Sequence, residues 1–178
     1  MRKEKILQAL MLVAGLCLLA VFLAPVSDVT EFGVEIHVSM WHWRDGVLLD
    51  YSHHAGVLTT LGANFIEDQL GDSPATDPAK WIAVSNDAGA PSSAWTAIPN
   101  EITTGGMGRA EGTYQSTGDG EWTITKSFSP SASGSCQLTG LYWAVSGDFL
   151  LCADTFTQVN YEDGDTVEIE WSIAASGA

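Results

Sequence analysis

The chain has few basic residues. It contains seven lysines and arginines against 22 aspartates and glutamates, and its formal net charge is −15. Such a surface repels phosphate backbones, so nucleic-acid binding is not expected. An acidic surface suits salty or cation-rich surroundings, and it also keeps a secreted protein soluble. Beyond Pro25 only four cations occur, namely Arg44, Lys80, Arg109 and Lys126.

Cysteine is also scarce, with three residues. Cys17 lies within an apolar run. Cys136 and Cys152 flank a predicted hairpin, so either a disulfide between them or two separate buried thiols fits the sequence. Their spacing excludes CxxC redox and zinc motifs.

One long apolar run, Ile6–Ala24, follows Arg2, Lys3 and Lys5. Its length is close to the ~20 residues that cross a membrane as a helix, and the preceding cations favour a cytoplasmic N-terminus. Residues 1–26 are therefore predicted to form an N-terminal hydrophobic helix. It acts as a cleaved signal, as a retained membrane anchor, or as a helix packed against identical helices.

Residues 27–178 are predicted to form one β-sandwich domain. Apolar and polar residues alternate over Glu31–Met40, and Arg44-Asp45-Gly46 forms the turn of a hairpin. Apolar residues spaced by three and four from Leu58 to Leu70 predict one short helix, with Thr59 or Thr60 as cap and Gly71 as stop. The pattern indicates a mainly β fold, an antiparallel sandwich of jelly-roll or immunoglobulin-like type. The later strands are expected at Lys80–Ser85, Gly108–Ser116, Glu121–Ser129, Ser135–Ala144, Asp148–Phe156 and Thr166–Ile173.

No residue set predicts a catalytic, cofactor or metal site. Histidines 37, 42, 53 and 54 cluster in the first hairpin, but their odd spacings place neighbours on opposite faces, so they are expected at the surface. The acidic turns at 116–121 and 162–165 do not match an EF-hand loop, and turn chemistry explains them. Glu101, Glu121 and Glu170 are the best-placed carboxylates for a hydrolase, although nothing singles them out.

The chain has seven tryptophans. Trp81, Trp122 and Trp171 fall on strand patterns and are expected in the core. Trp41, Trp43 and Trp95 lie in hairpin or loop positions. They are candidate binding residues, which can contact sugar rings or a neighbouring subunit.

Three stretches, KWIAVSNDAGAPSSAWTAIPNEITTGG, LTGLYWAVSGDFLLCADTF and GDTVEIEWSI, anchor a resemblance that covers about residues 45–175. They resemble small β-sandwich proteins of thermophilic archaea, some bacteria and their viruses, which look like tail-fibre or surface-filament components. The resemblance implies no catalytic residue. The apolar N-terminus departs from that group and argues against a purely virion-internal role.

Filaments of β-sandwiches often join by strand donation, in which one chain's extended segment completes a neighbour's sheet. The segment Ser27–Met40, with Phe32, Val34, Ile36 and Val38, suits this role, although it can equally pair within its own domain. The leading hypothesis is a non-enzymatic subunit of an extracellular filament, pilus or virion surface. Its expected partners are copies of itself and, through the N-terminal helix, a membrane. The alternatives are a carbohydrate-binding or adhesion module and, less favoured, a secreted hydrolase.

Overall fold

The computed structural model describes residues 32–71 and 77–177, which form ten strands and one helix. The predicted N-terminal helix lies outside the described residues, as does the link before Phe32. Among the described residues, no helix is long and apolar enough to span a membrane. In chain order the elements are β1 Phe32–Arg44, β2 Val47–Ala55, β3 Val57–Leu58, α1 Thr60–Leu70, β4 Trp81–Ser85, β5 Ala110–Glu111, β6 Thr113–Gly118, β7 Glu121–Phe128, β8 Gly134–Tyr142, β9 Leu150–Tyr161 and β10 Thr166–Gly177.

The strands form two five-stranded sheets. The first has the order β2-β1-β10-β7-β6 and the second has the order β3-β9-β8-β4-β5. Ile36 and Val38 of β1 pack in one apolar cluster with Leu141 of β8 and Val159 of β9, so the two sheets share a core. The predicted mainly β, antiparallel sandwich-like architecture with one short helix is confirmed for the described residues.

The inward face of β1 follows the two-residue period of a strand. Ile36, Val38, Met40 and His42 are all buried. At the far end of the strand, Asp45 and Gly46 both have positive φ, of 50° and 75°. Two such residues make the tight turn whose twist suits a hairpin, so β1 leads directly into β2, as the sequence predicted.

The helix α1 is fixed to β9 by its first residues. The Thr59 side chain accepts a hydrogen bond from the Gly62 amide at 2.8 Å, which caps the helix as predicted. The same hydroxyl donates to the Leu150 carbonyl at 2.6 Å. A Cβ on Gly62 would lie 2.1 Å from the Leu151 carbonyl oxygen, so only glycine allows this close approach. Gly71 ends the helix, with its amide bonded to the Glu67 carbonyl.

One predicted strand is divided in the structure. The stretch 108–116 was expected to be continuous, but β5 belongs to the second sheet and β6 to the first. Gly112 lies between them, and a Cβ there would meet Ile124 Cγ2 at 2.6 Å and the Lys80 carbonyl oxygen at 3.3 Å. The chain therefore crosses between the sheets at Gly112, where the neighbouring atoms leave no room for a side chain. The strand predicted at 148–156 also continues to Tyr161.

Candidate assembly surfaces and the cluster that supports them

The turn of the first hairpin presents an apolar protrusion, which we call the hairpin tip and define as Asp45–Leu49. Its three aliphatic side chains are solvent-exposed, with Leu48 43% exposed and Val47 60% exposed. Large apolar side chains in a contiguous exposed run are unusual on a soluble protein and commonly mark a contact surface. The strand that begins here, β2, is also an edge of its sheet.

A charged cluster with a buried centre, His42 and Asp165, holds the base of the hairpin tip. His42 is 1% exposed, and its Nε2 lies 2.9 Å from Asp165 Oδ2 while its Nδ1 lies 3.0 Å from Asp50 Oδ2. Each ring nitrogen of His42 thus has a carboxylate oxygen as its partner. His42 therefore bridges the two carboxylates through its two ring nitrogens.

Arg44 completes the charged cluster. Its Nε and its Nη2 donate to the two oxygens of Asp165, each at 2.9 Å. This bidentate pair, with help from His42 and the Glu162 amide, holds the pKa of Asp165 far below its usual range, against the opposing effect of burial. Asp165 precedes β10, so the cluster fastens the end of the β1–β2 hairpin to the turn between β9 and β10.

An apolar groove of about 480 Å³ lies at the other end of the sandwich. We call it the end groove. Its walls come from both sheets and from α1: Val34 and Ile36 of β1, Trp122 and Ile124 of β7, and Phe65 and Leu70 of α1. Its volume falls in the range of roughly 300–1,000 Å³ that is typical of binding pockets. Leu70 lies at the rim and is 74% exposed.

Aromatic packing holds in place the wall of the end groove that α1 provides. Phe65 stacks on Trp143 with ring centroids 4.6 Å apart, and Trp143 in turn contacts Phe149 at 5.7 Å. Lys80 also lines the groove and donates to Glu111 at 2.5 Å. The groove is thus a formed, mainly apolar concavity with one cation in its lining.

A half-buried ion pair stabilises the long connection before β5. Arg109 donates to both carboxylate oxygens of Glu101, at 3.0 and 2.6 Å. Its guanidinium carbon lies 3.5 Å from the centroid of the Tyr142 ring, a cation–π contact. The Tyr142 hydroxyl accepts from the Ile98 amide, and burial raises the pKa of Tyr142 to about 12. Both carboxylate oxygens of Glu101 are thus engaged in a structural ion pair with Arg109.

The residues predicted as assembly contacts are divided between the core and the surface. Ile36 and Val38 are buried, although Ile36 also lines the end groove. Val34 is half-buried and lines the end groove. The side chain of Phe32 lies outside the described residues. Both neighbours of β1, β2 and β10, belong to its own chain, so the described part of the predicted donor segment pairs within its own sheet.

The three candidate tryptophans are all half-buried. Trp41 lies 5.5 Å from Tyr51 across the β1–β2 pair, with the rings inclined by 41°. Trp43 is opposite Leu48, at the hairpin tip. Trp95 packs against a small second cluster that contains Ile98 and Leu150. Of the tryptophans predicted to be core, Trp171 is fully buried, whereas Trp81 and Trp122 pack at the edge of the core.

No bond joins Cys136 and Cys152 in this structure. Both cysteines are free and buried. In the β8–β9 ladder Cys136 pairs with Val159 and Cys152 pairs with Leu141, so the two thiols lie at different heights along the sheet. Burial raises the pKa of Cys136 to about 12 and that of Cys152 well above its usual value. They are core side chains.

The histidines also differ from expectation, because His42 was expected at the surface and is buried. His37 and His53 stack on the outer face, with ring centroids 5.2 Å apart, and His53 Nδ1 lies 2.9 Å from Ser39 Oγ. Within residues 32–71 and 77–177, no group of three or more histidines, cysteines or carboxylates is arranged to hold a metal ion. In the turn at 162–165, Asp165 binds His42 and Arg44.

The remaining carboxylates considered for hydrolysis lie on strands and make ordinary contacts. Glu170 accepts a hydrogen bond from Thr125 at 3.0 Å, across the β7–β10 pair. Glu121 is exposed at the start of β7.

Comparison of the chain with protein-family models, with curated protein sequences and with solved structures gives no match.

Proposed function

We propose that this chain is a structural subunit of an extracellular assembly, such as a filament, a pilus or a virion surface, built on a jelly-roll or immunoglobulin-like sandwich. The observation that supports the proposal is the presence of two apolar surfaces at opposite ends of β1. The hairpin tip follows Arg44, and the end groove contains Val34, ten residues and about 33 Å earlier in the strand. A subunit within an extended assembly needs two such surfaces.

The charge distribution is consistent with this role. With a net charge of −15, most faces of two copies repel each other. Among the described residues, the lining of the end groove contains no aspartate or glutamate, and one lysine. Contact between copies is therefore least opposed at these apolar ends, and the acidic remainder of the surface limits unplanned association.

The apolar segment Ile6–Ala24 is the reason for placing the proposed assembly at the cell or virion surface. A basic start followed by an apolar run of this length directs export or anchors a chain in a membrane. We propose that it brings the sandwich to the cell or virion surface, where it is removed, stays in the membrane, or packs with the same segment of other copies.

Negative-stain microscopy of the native material, together with the intact mass of the mature chain, tests the proposed function. We expect regular filaments or a lattice whose subunit carries the sandwich. Isolated monomers at high protein concentration, with no ordered assembly, would contradict it. A mass lower by the first ~25 residues would identify the apolar segment as a signal peptide.

A second candidate function is carbohydrate binding, and the adjacent Trp41 and Tyr51 rings on the outer face of the hairpin favour it. Aromatic rings beside polar groups such as His53 are suited to stacking on sugars. Glycan-array binding that is lost in Trp41→Ala and kept in Tyr114→Ala would support this function. Tyr114 is a matched control because it is an exposed aromatic on the opposite edge of the same sheet.

A further inference from the structure

We propose that the hairpin tip of one copy inserts into the end groove of the next copy, so that subunits join head to tail. This inference rests on the proposed structural function and specifies its contact. It assigns one occupant, a second copy of this chain, to two apolar features that the described residues leave exposed.

The hairpin tip has the shape of an inserting element. Two residues with positive φ close its turn, so the chain reverses within a narrow protrusion. Val47 and Leu48 follow at once and are exposed, while Arg44 beneath them is fixed to Asp165. A protrusion that is held in place before binding loses little conformational entropy on insertion.

The end groove has the complementary chemistry. Its volume of about 480 Å³ accommodates a few aliphatic side chains, and its walls are apolar residues of α1, β1 and β7. Lys80 is the one cation among the described lining residues, whereas Asp45 is exposed at the turn of the hairpin tip. Insertion would thus bring the acidic turn toward the Lys80–Glu111 pair, where Asp45 can share the lysine with Glu111.

The positions of the two surfaces determine the type of assembly. A contact between two different patches is heterologous, and it produces an open filament unless the rotation between subunits closes a ring. Because the hairpin tip and the end groove lie at opposite ends of β1, each copy can donate a tip and accept another at the same time. The expected product is a linear filament whose long axis follows β1.

The test uses two single variants of the full chain, one in each surface, and one control. Leu48→Asp places a carboxylate on the hairpin tip, and Leu70→Asp places one at the rim of the end groove. Val145→Asp is the matched control, because Val145 is an aliphatic residue with 56% exposure that belongs to neither surface. Thermal melting by circular dichroism verifies that all three variants fold.

We expect each surface variant to weaken self-association by about thirtyfold or more, the effect of losing a buried anchor residue, in sedimentation velocity. The control should assemble like the wild type. An equimolar mixture of Leu48→Asp and Leu70→Asp is the decisive sample. In that mixture only an intact tip and an intact groove on different chains can meet, so two-chain particles form and filaments do not.

Each outcome supports or overturns the inference. Two-chain particles in the mixture, with neither variant pairing alone, support head-to-tail insertion. Filaments that persist in both single variants overturn it while leaving the proposed function intact, since other surfaces then join the copies. A wild-type chain that remains monomeric at all concentrations overturns the proposed function itself.

Discussion

His42 and Asp165 are 123 residues apart in the chain, yet His42 Nε2 lies 2.9 Å from a carboxylate oxygen of Asp165 in the interior. This contact and the Arg44–Asp165 pair fasten the first hairpin to the turn that precedes the last strand. The apolar residues of the hairpin tip follow within a few positions. The charged cluster thus positions the surface to which we assign a role in assembly.

Loss of the Asp165 carboxylate should destabilise the fold. Asp165→Asn leaves His42 and Arg44 without their shared partner, and we expect a loss of about 2 kcal/mol in the free energy of unfolding. The loss is smaller than the ~3–5 kcal/mol of a fully buried pair because the Arg44 side chain is 35% exposed. Urea unfolding measures it. Asp163→Asn, an exposed neighbour in the same turn, is the control and should change stability little.

Stability should also depend on pH through Asp165. Its pKa is lowered in the folded state, chiefly by the hydrogen bond from Arg44, so its contribution is complete above the pKa of the unfolded chain. That contribution decreases as the pH falls below about 4 and toward the lower pKa of the folded state. The stability difference between the wild type and Asp165→Asn should therefore shrink from pH 5 to pH 2. A difference that is constant over this range would show that the carboxylate charge is not responsible.

Cys136 and Cys152 should resist alkylation in the native protein. Both should become reactive once the chain is unfolded, with no reductant needed. Burial raises the pKa of Cys136 to about 12, and Cys152 is also fully buried, so neither forms a thiolate at pH 8. Alkylation followed by peptide mass spectrometry tests this expectation. Alkylation that requires prior reduction in denaturant would instead indicate a disulfide.

Gly62→Ala should destabilise the chain, although the same change in a helix normally gains about 1 kcal/mol from helix propensity. The added Cβ would meet the Leu151 carbonyl oxygen at 2.1 Å, and α1 would have to move away from β9. We expect a net loss of about 2 kcal/mol in chemical denaturation. A gain in stability would show that the contact between α1 and β9 is looser than described.

Local signals in the sequence were sufficient for much of the fold. The alternation in β1, the Asp-Gly turn and the caps of α1 depend on neighbours within a few residues, and the structure has each of them where it was predicted. The division of strand 108–116 at Gly112 was missed because it depends on Ile124, which lies in another strand.

The surfaces were harder to predict, because they depend on contacts between distant segments. His42 continues the two-residue period of Ile36, Val38 and Met40, and that spacing could have indicated burial. Its partner Asp165, however, is identified only when β10 is placed beside β1. The end groove likewise needs the relative positions of α1, β1 and β7, which no local pattern contains.

Photo-crosslinking from the hairpin tip is the most direct test of head-to-tail insertion. With benzophenylalanine at position 48 of the full chain, we predict covalent links between copies to peptides that line the end groove, around Ile66–Leu70 or Tyr114–Trp122. The same probe at position 51, on the outer face of the hairpin, should give few such links. Links from position 48 that map to other peptides, or an absence of links between copies in assembled material, would contradict head-to-tail insertion.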